Sequence, residues 1–126
     1  MNVDELVTSV MQAFGLATNG KGKTDYKEIF ILANKLSEAG IPFKIRELNG
    51  GYQIAYPNCE ERVCSVVEHS FSYGAECDRL EIMGLLTKEE QEEDVGDEPA
   101  VKGYLTAEDV FGRISKHYAE NNNKWQ

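Results

Sequence analysis

A chain of 126 residues and 14.1 kDa is long enough for one domain around one core and too short for two ordinary domains. Its 41% hydrophobic, 10% aromatic and 28% charged residues, with three prolines, make a globular composition and exclude a disordered one. Thirteen Lys and Arg against 22 Asp and Glu give a net charge of −9, which repels nucleic-acid backbones and anionic membranes and leaves a basic protein surface as the complementary partner.

In chain order, Val3, Leu6, Val7, Val10, Met11 and Phe14 recur at helical spacing, so the sequence predicts an amphipathic first helix. Asn2 is placed to cap it and Gly15 to stop it. The stretch has no basic region before its apolar run and does not read as a secretory signal. A Gly/Lys loop follows, and from about Thr24 a second helix lines up Ile29, Phe30, Leu32, Ala33, Leu36 and Ala39 until Gly40 and Pro42 end it.

The period then drops to two. Phe43–Leu48 and Tyr52–Tyr56 flank Asn49-Gly50-Gly51, a hairpin signal because Asn and Gly tolerate the positive φ of tight turns. Arg62–Ser72 reads as a longer strand whose period would turn Val67, His69 and Phe71 to the core, and Leu80–Leu86 as a fourth. Residues 88–98 are dominated by acids and read as a mobile, exposed insertion, although Thr87 and Glu90 are spaced to cap a short helix. Thr106 opens a last helix carrying Val110, Ile114 and His117 or Tyr118, and residues 120–126 read as a frayed tail.

The expected fold is therefore a single α+β domain over residues 1–126. It has two N-terminal helices, an antiparallel meander of three to four strands and a C-terminal helix, with the helices on one face. No stretch approaches the length of a membrane span. The odd set Cys59, Cys64 and Cys77 does not form a paired framework and fits a reducing cytoplasm.

Four patterns invite a site. ATNGKGKT at 17–24 fits the permissive form of a phosphate-binding loop, but helical periodicity precedes it where a buried strand belongs and no acid is placed for magnesium. Gly103 to Asp109 has the second half of a calcium loop, yet that register puts Ala100 and Lys102 at ligand positions. Cys59, Cys64, His69 and Cys77 offer zinc-ligating atoms without zinc-site spacings. No metal and no cofactor is expected from these.

The fourth pattern is VVEHSFSYGAECD, residues 66–78, where His69, Ser72, Tyr73 and Asp78 crowd around a glycine. His69 is the candidate general base, with Tyr73, Ser72 or Asp78 beside it. The plainer account makes His69 a partly buried, hydrogen-bonded ring. Along the strands, Lys44, Arg46, Gln53 and Glu68 alternate with apolar residues and are expected to form a polar open face.

The runs NGGYQIAYPN (49–58), RVCSVVEHSFSYG (62–74), LEIMGLLTKEE (80–90) and GYLTAEDVFGRI (103–114) resemble a group of small proteins encoded by phages and prophages of gut Firmicutes, a similarity that covers about residues 25–117, most of the chain. That resemblance implies the bacterial cytoplasm as location and a host or phage protein as partner, and it supplies no catalytic residues. Two expectations result. The first is a non-enzymatic accessory protein that binds a partner with a basic surface, alone or as a homodimer. The second is a small hydrolase or ligand-binding enzyme with a pocket at His69 and Tyr73.

Overall fold

The computed structural model describes residues 2–16, 26–93 and 100–121. The elements run α1 (Val3–Ala13), α2 (Glu28–Glu38), β1 (Lys44–Leu48), β2 (Gly51–Tyr56), β3 (Cys64–Glu68), β4 (Leu80–Met83), α3 (Lys88–Glu93), β5 (Lys102–Leu105) and α4 (Ala107–Asn121). The fold is α+β, and the phosphate-loop-like residues 17–24 lie outside the described residues.

Helix α1 begins where Asn2 Oδ1 accepts the N–H of Glu5 (2.8 Å), and Asn2 Nδ2 donates to Glu5 Oε1 in return (3.1 Å). It ends at Gly15, whose φ of +68° lets Leu16 N–H reach back to Met11 O (2.8 Å). Helix α2 ends by the same device at Gly40. Its start differs from the sequence expectation. Tyr26 and Lys27 are not helical, and the cap residue Lys27 offers no side-chain bond.

The strands form a five-stranded antiparallel meander in the order β1-β2-β3-β4-β5, one strand more than the expected maximum. The strand missed is β5, a four-residue edge whose pairing with β4 shifts register between Leu80 and Ile82, and in which Tyr104 takes a φ of +62°. A short run with a glycine and a left-handed residue carries no alternation to read. The Asn49-Gly50 hairpin is as expected, with φ of +50° and +80° at its two central residues.

Ile45, Ile54, Val66 and Ile82 stand in register across four strands. The last three are fully buried, each stabilising by about 2 kcal/mol. Helices α2 and α4 cover this face and α1 packs on α2. Phe30 of α2 meets Tyr52 edge-on at 4.6 Å. On the opposite face Arg46 Nε donates to Gln53 Oε1 (2.6 Å) and Gln53 Nε2 to Ser65 Oγ (2.7 Å), a polar chain across three strands.

Two face assignments need correction. Strand β3 ends at Glu68 rather than Ser72, and Glu68 lies under α2, fully buried, instead of on the open face. Val67 therefore points to the open side, and Phe71, expected toward the core, is 80% exposed. The adjacent valines 66 and 67 leave the period ambiguous, and a buried glutamate defeats the rule that polar residues face out.

The first part of the acidic segment, expected as an exposed insertion, folds as helix α3. Its predicted capping box is present, Glu90 N–H on Thr87 Oγ1 (3.1 Å) and Thr87 N–H on Glu90 Oε1 (2.9 Å). Residues 94–98, and 122–126 of the expected tail, lie outside the described residues. No described helix is long and apolar enough to cross a membrane.

Candidate functional site

The connection from β3 to β4, residues 69–79, carries most of the side chains singled out in the sequence, and its own hydrogen bonds fix its shape. His69 N–H donates to Ser72 Oγ (2.9 Å), and that hydroxyl donates back to His69 O (3.0 Å), closing a tight turn. The His69 ring braces the same turn, its Nδ1 accepting the N–H of Phe71 (3.1 Å). Nδ1 is thus the nitrogen without a proton. Tyr73 N–H donates to Glu81 Oε1 of β4 (2.8 Å).

Beyond Gly74 a 3-10 turn, Ala75–Cys77, leads to Asp78, whose φ of +57° turns the chain into β4. Asp78 Oδ1 accepts the N–H groups of Lys27 (2.8 Å) and Glu28 (3.0 Å), supplying helix α2 with the cap that its own sequence lacks. The connection is tied down elsewhere as well, with Ser70 N–H on Asn49 O of the hairpin (3.2 Å) and Tyr104 N–H of β5 on Tyr73 O (3.4 Å). Gly103 permits the second approach, because a β-carbon there would strike Tyr73.

Carboxyl groups meet beneath this loop. Glu68 Oε1 accepts the N–H of Ile29 (3.2 Å), and its Oε2 is buried without a donor. Burial, then the neighbouring Asp78 carboxyl, push the Glu68 pKa up to about 10. Glu68 therefore holds a proton, and Oε2 is the oxygen able to donate it toward Asp78. Glu28 in turn accepts the N–H of Ala107 (2.7 Å), so the same cluster serves the first turns of α2 and α4.

The sequence-derived candidates are distributed as follows. His69 and Ser72 come together through the main chain of His69, not ring to hydroxyl. Asp78 is a helix cap. The Tyr73 residue is 62% exposed. A cavity of about 490 Å³ does open beside the loop, but Tyr26, Gly50, Ser70, Glu76, Cys77 and Asp78 line it, without His69, Ser72 or Tyr73.

What the structure adds is a set of exposed aromatic side chains, of which Tyr73 and Tyr104 line one cavity of about 370 Å³ with Glu90, Glu93 and Lys102. Phe71, Tyr73 and Tyr104 are 80%, 62% and 57% exposed, the three most exposed large hydrophobic residues among those described. The Tyr104 hydroxyl donates to Glu76 Oε2 (2.6 Å), a bond that holds the Glu76 carboxyl below its usual range. The sequence offered no signal for this surface, since Tyr104 sits on the unread strand and Phe71 looked like core.

Elsewhere, Tyr56 is fully buried and its hydroxyl meets His117 Nδ1 at 2.8 Å, the rings at 5.5 Å edge-on. Burial pushes Tyr56 up to about 12, so the phenol keeps its proton. Cys64 is buried, Cys59 and Cys77 are exposed, and all are free thiols. Among the described residues no group of three or more His, Cys, Asp and Glu is arranged to hold a metal ion. No protein family, curated protein or solved structure matches the chain.

Proposed function

We propose that the chain is a non-enzymatic protein-binding module, an accessory protein of the phage or prophage type that its sequence resembles, acting in the bacterial cytoplasm. The observation that carries this reading is the exposure of Phe71 and Tyr73, on a loop fastened to the hairpin, to β5 and to α2, and of Tyr104 on the neighbouring strand β5. Large aromatic side chains held rigidly in water cost solvation in the free protein. They are also the residue types that dominate binding energy at interfaces, where a preorganised loop loses little entropy on docking. A net charge of −9 adds attraction for a basic partner and raises the association rate.

Affinity capture from lysate of a Firmicutes host tests the reading, using the wild-type chain beside Phe71→Ala/Tyr73→Ala/Tyr104→Ala. A defined protein retained by the wild type and lost with the triple variant, at unchanged far-UV circular dichroism, supports it. Equal retention by both, or nothing retained by either, defeats it. A third arm neutralises the exposed acids Glu89 and Glu92 of α3 and leaves Glu93, which lines a cavity with Tyr73 and Tyr104, so that a contribution of that segment is separated from one of the aromatic residues.

A further inference from the structure

We infer that the partner presents an arginine to this loop, its guanidinium lying on the exposed tyrosines and pairing with Glu76 and Glu81. The inference rests on the protein-binding reading and names the chemistry of its contact. Two carboxylates border the aromatic surface, and each has one oxygen held by a local donor. Glu76 Oε2 accepts the Tyr104 hydroxyl and Glu81 Oε1 accepts the Tyr73 N–H. The Glu76 carboxylate also takes main-chain N–H groups of its own residue and of Gly74, so both carboxylates are fixed in direction, and Glu81 keeps a second oxygen with no bond among the described residues.

Neither glutamate belongs to an ion pair among the described residues, where the pairs are Lys27 with Asp4, Lys102 with Glu93 and Arg113 with Glu90. The one cation on the loop, Arg79, is turned onto the loop's own carbonyls, donating to Asp78 O (2.9 Å) and Cys77 O (3.4 Å). The cation that lines one cavity with Tyr73 and Tyr104, Lys102, pairs with Glu93 (3.9 Å), so Glu76 and Glu81 are left without a counter-charge among the described residues.

Guanidinium suits this arrangement better than ammonium does. It is planar and weakly hydrated, so it stacks on an aromatic ring, and its five donors fork toward more than one carboxylate at once. An ammonium is a compact, strongly hydrated charge that gives up more water to reach the same place. The main-chain bond from Tyr104 to Tyr73, with Gly103 between β5 and the loop, sets the two tyrosines side by side at the backbone. A side chain entering there meets both.

The test is an amide-resolved NMR titration of the full chain with the blocked tripeptide Gly-Arg-Gly, and with its lysine and citrulline counterparts. For so small a probe binding is expected in the millimolar range, with saturable shifts at Phe71, Tyr73, Gly103 and Tyr104. The lysine peptide is expected to bind at least about fivefold more weakly and the citrulline peptide not measurably, since citrulline keeps the shape and loses the charge. Glu76→Gln/Glu81→Gln is expected to abolish the arginine effect. Equal response to citrulline, shifts centred on Glu89 and Glu92, or no saturable shift overturns the inference. If the arginine peptide is silent while the aromatic triple variant still loses a captured protein, the arginine assignment fails and the protein-binding reading stands.

Discussion

The carboxyl groups of Glu68 and Asp78 meet under the first turn of α2, where Asp78 accepts two main-chain N–H groups and Glu68 accepts a third. Glu68 is buried completely, and its environment favours the protonated acid. A proton held there lets Oε2 act as donor, which resolves an oxygen that would otherwise be buried with nothing to bond. The arrangement joins β3, the β3–β4 connection and α2, and so connects the core to the loop that bears the aromatic surface.

Its first consequence is a dependence of stability on pH. The Glu68 pKa is about 10 in the folded chain, against about 4.3 for an unperturbed glutamate. Between those values the folded state binds one proton more than the unfolded state, so stability falls as pH rises. The contribution is fully present below the unfolded value and is lost as pH climbs to the folded one, with a limiting slope on the order of 1 kcal/mol per pH unit. Glu68→Gln keeps an acceptor for Ile29 and a donor toward Asp78 without an ionisable proton. Urea denaturation at pH 5, 7 and 9 should show a falling midpoint for the wild type and a flatter one for the variant, with the variant the more stable at pH 9. Parallel curves would show that Glu68 is not the group responsible.

Glu90 supplies the opposite sign at the acid end. Arg113 donates to both its oxygens, at 2.7 and 2.6 Å, and also to Leu85 O at 3.0 Å. The two side chains are only 20% and 14% exposed. The Arg113 hydrogen bonds bring Glu90 down to about 2, so its stabilisation is present above the ordinary carboxylate range and is lost as pH falls toward that value. Glu90→Gln should cost about 1 kcal/mol at neutral pH and nearly nothing once the wild-type carboxylate is protonated. The local readout is hydrogen exchange, which should speed up in the α3 amides at neutral pH. Unchanged exchange there would mean that the pair does not anchor α3.

Much of the architecture was legible in the sequence because local signals and tertiary structure agree. Asn2 caps α1, Gly15 and Gly40 end their helices, and Asn49-Gly50 turns the hairpin, each by the mechanism expected of that residue. The illegible parts are those where a distant residue does the local work. The start of α2 could not be located from its own sequence, since its cap is Asp78, some 50 positions on. Glu68 looked like an open-face residue, since the acid beside it and the helix above it that make its burial tolerable are distant in sequence. The candidate site was found as a segment but not as a chemistry. His69 and Ser72 do meet, yet through main-chain groups, and hydrogen-bond direction within a turn is not encoded in spacing.

The same substitution at two glycines should have effects of opposite sign. At Gly51, on β2 beside the hairpin turn, an added β-carbon would overlap Glu68 O and lie 2.6 Å from the α-carbon of His69. These are main-chain atoms that rotamer changes cannot clear. Gly51→Ala must therefore push β2 from β3 just where Glu68 and His69 lead into the aromatic loop, at an expected cost of about 3 kcal/mol. At Gly112, inside α4, a β-carbon meets nothing within 4 Å, and the residue is exposed. Alanine there removes unfolded-state freedom and fits the helix, for a gain of about 0.8 kcal/mol. Thermal unfolding should thus show a lower melting temperature for Gly51→Ala and one raised by a few degrees for Gly112→Ala. A Gly51→Ala variant as stable as the parent would mean that β2 and β3 do not approach as closely as described. Because Gly112 lies on α4, away from residues 69–79, its variant should also keep the full response to the arginine peptide, which separates a change in stability from a change in the binding surface.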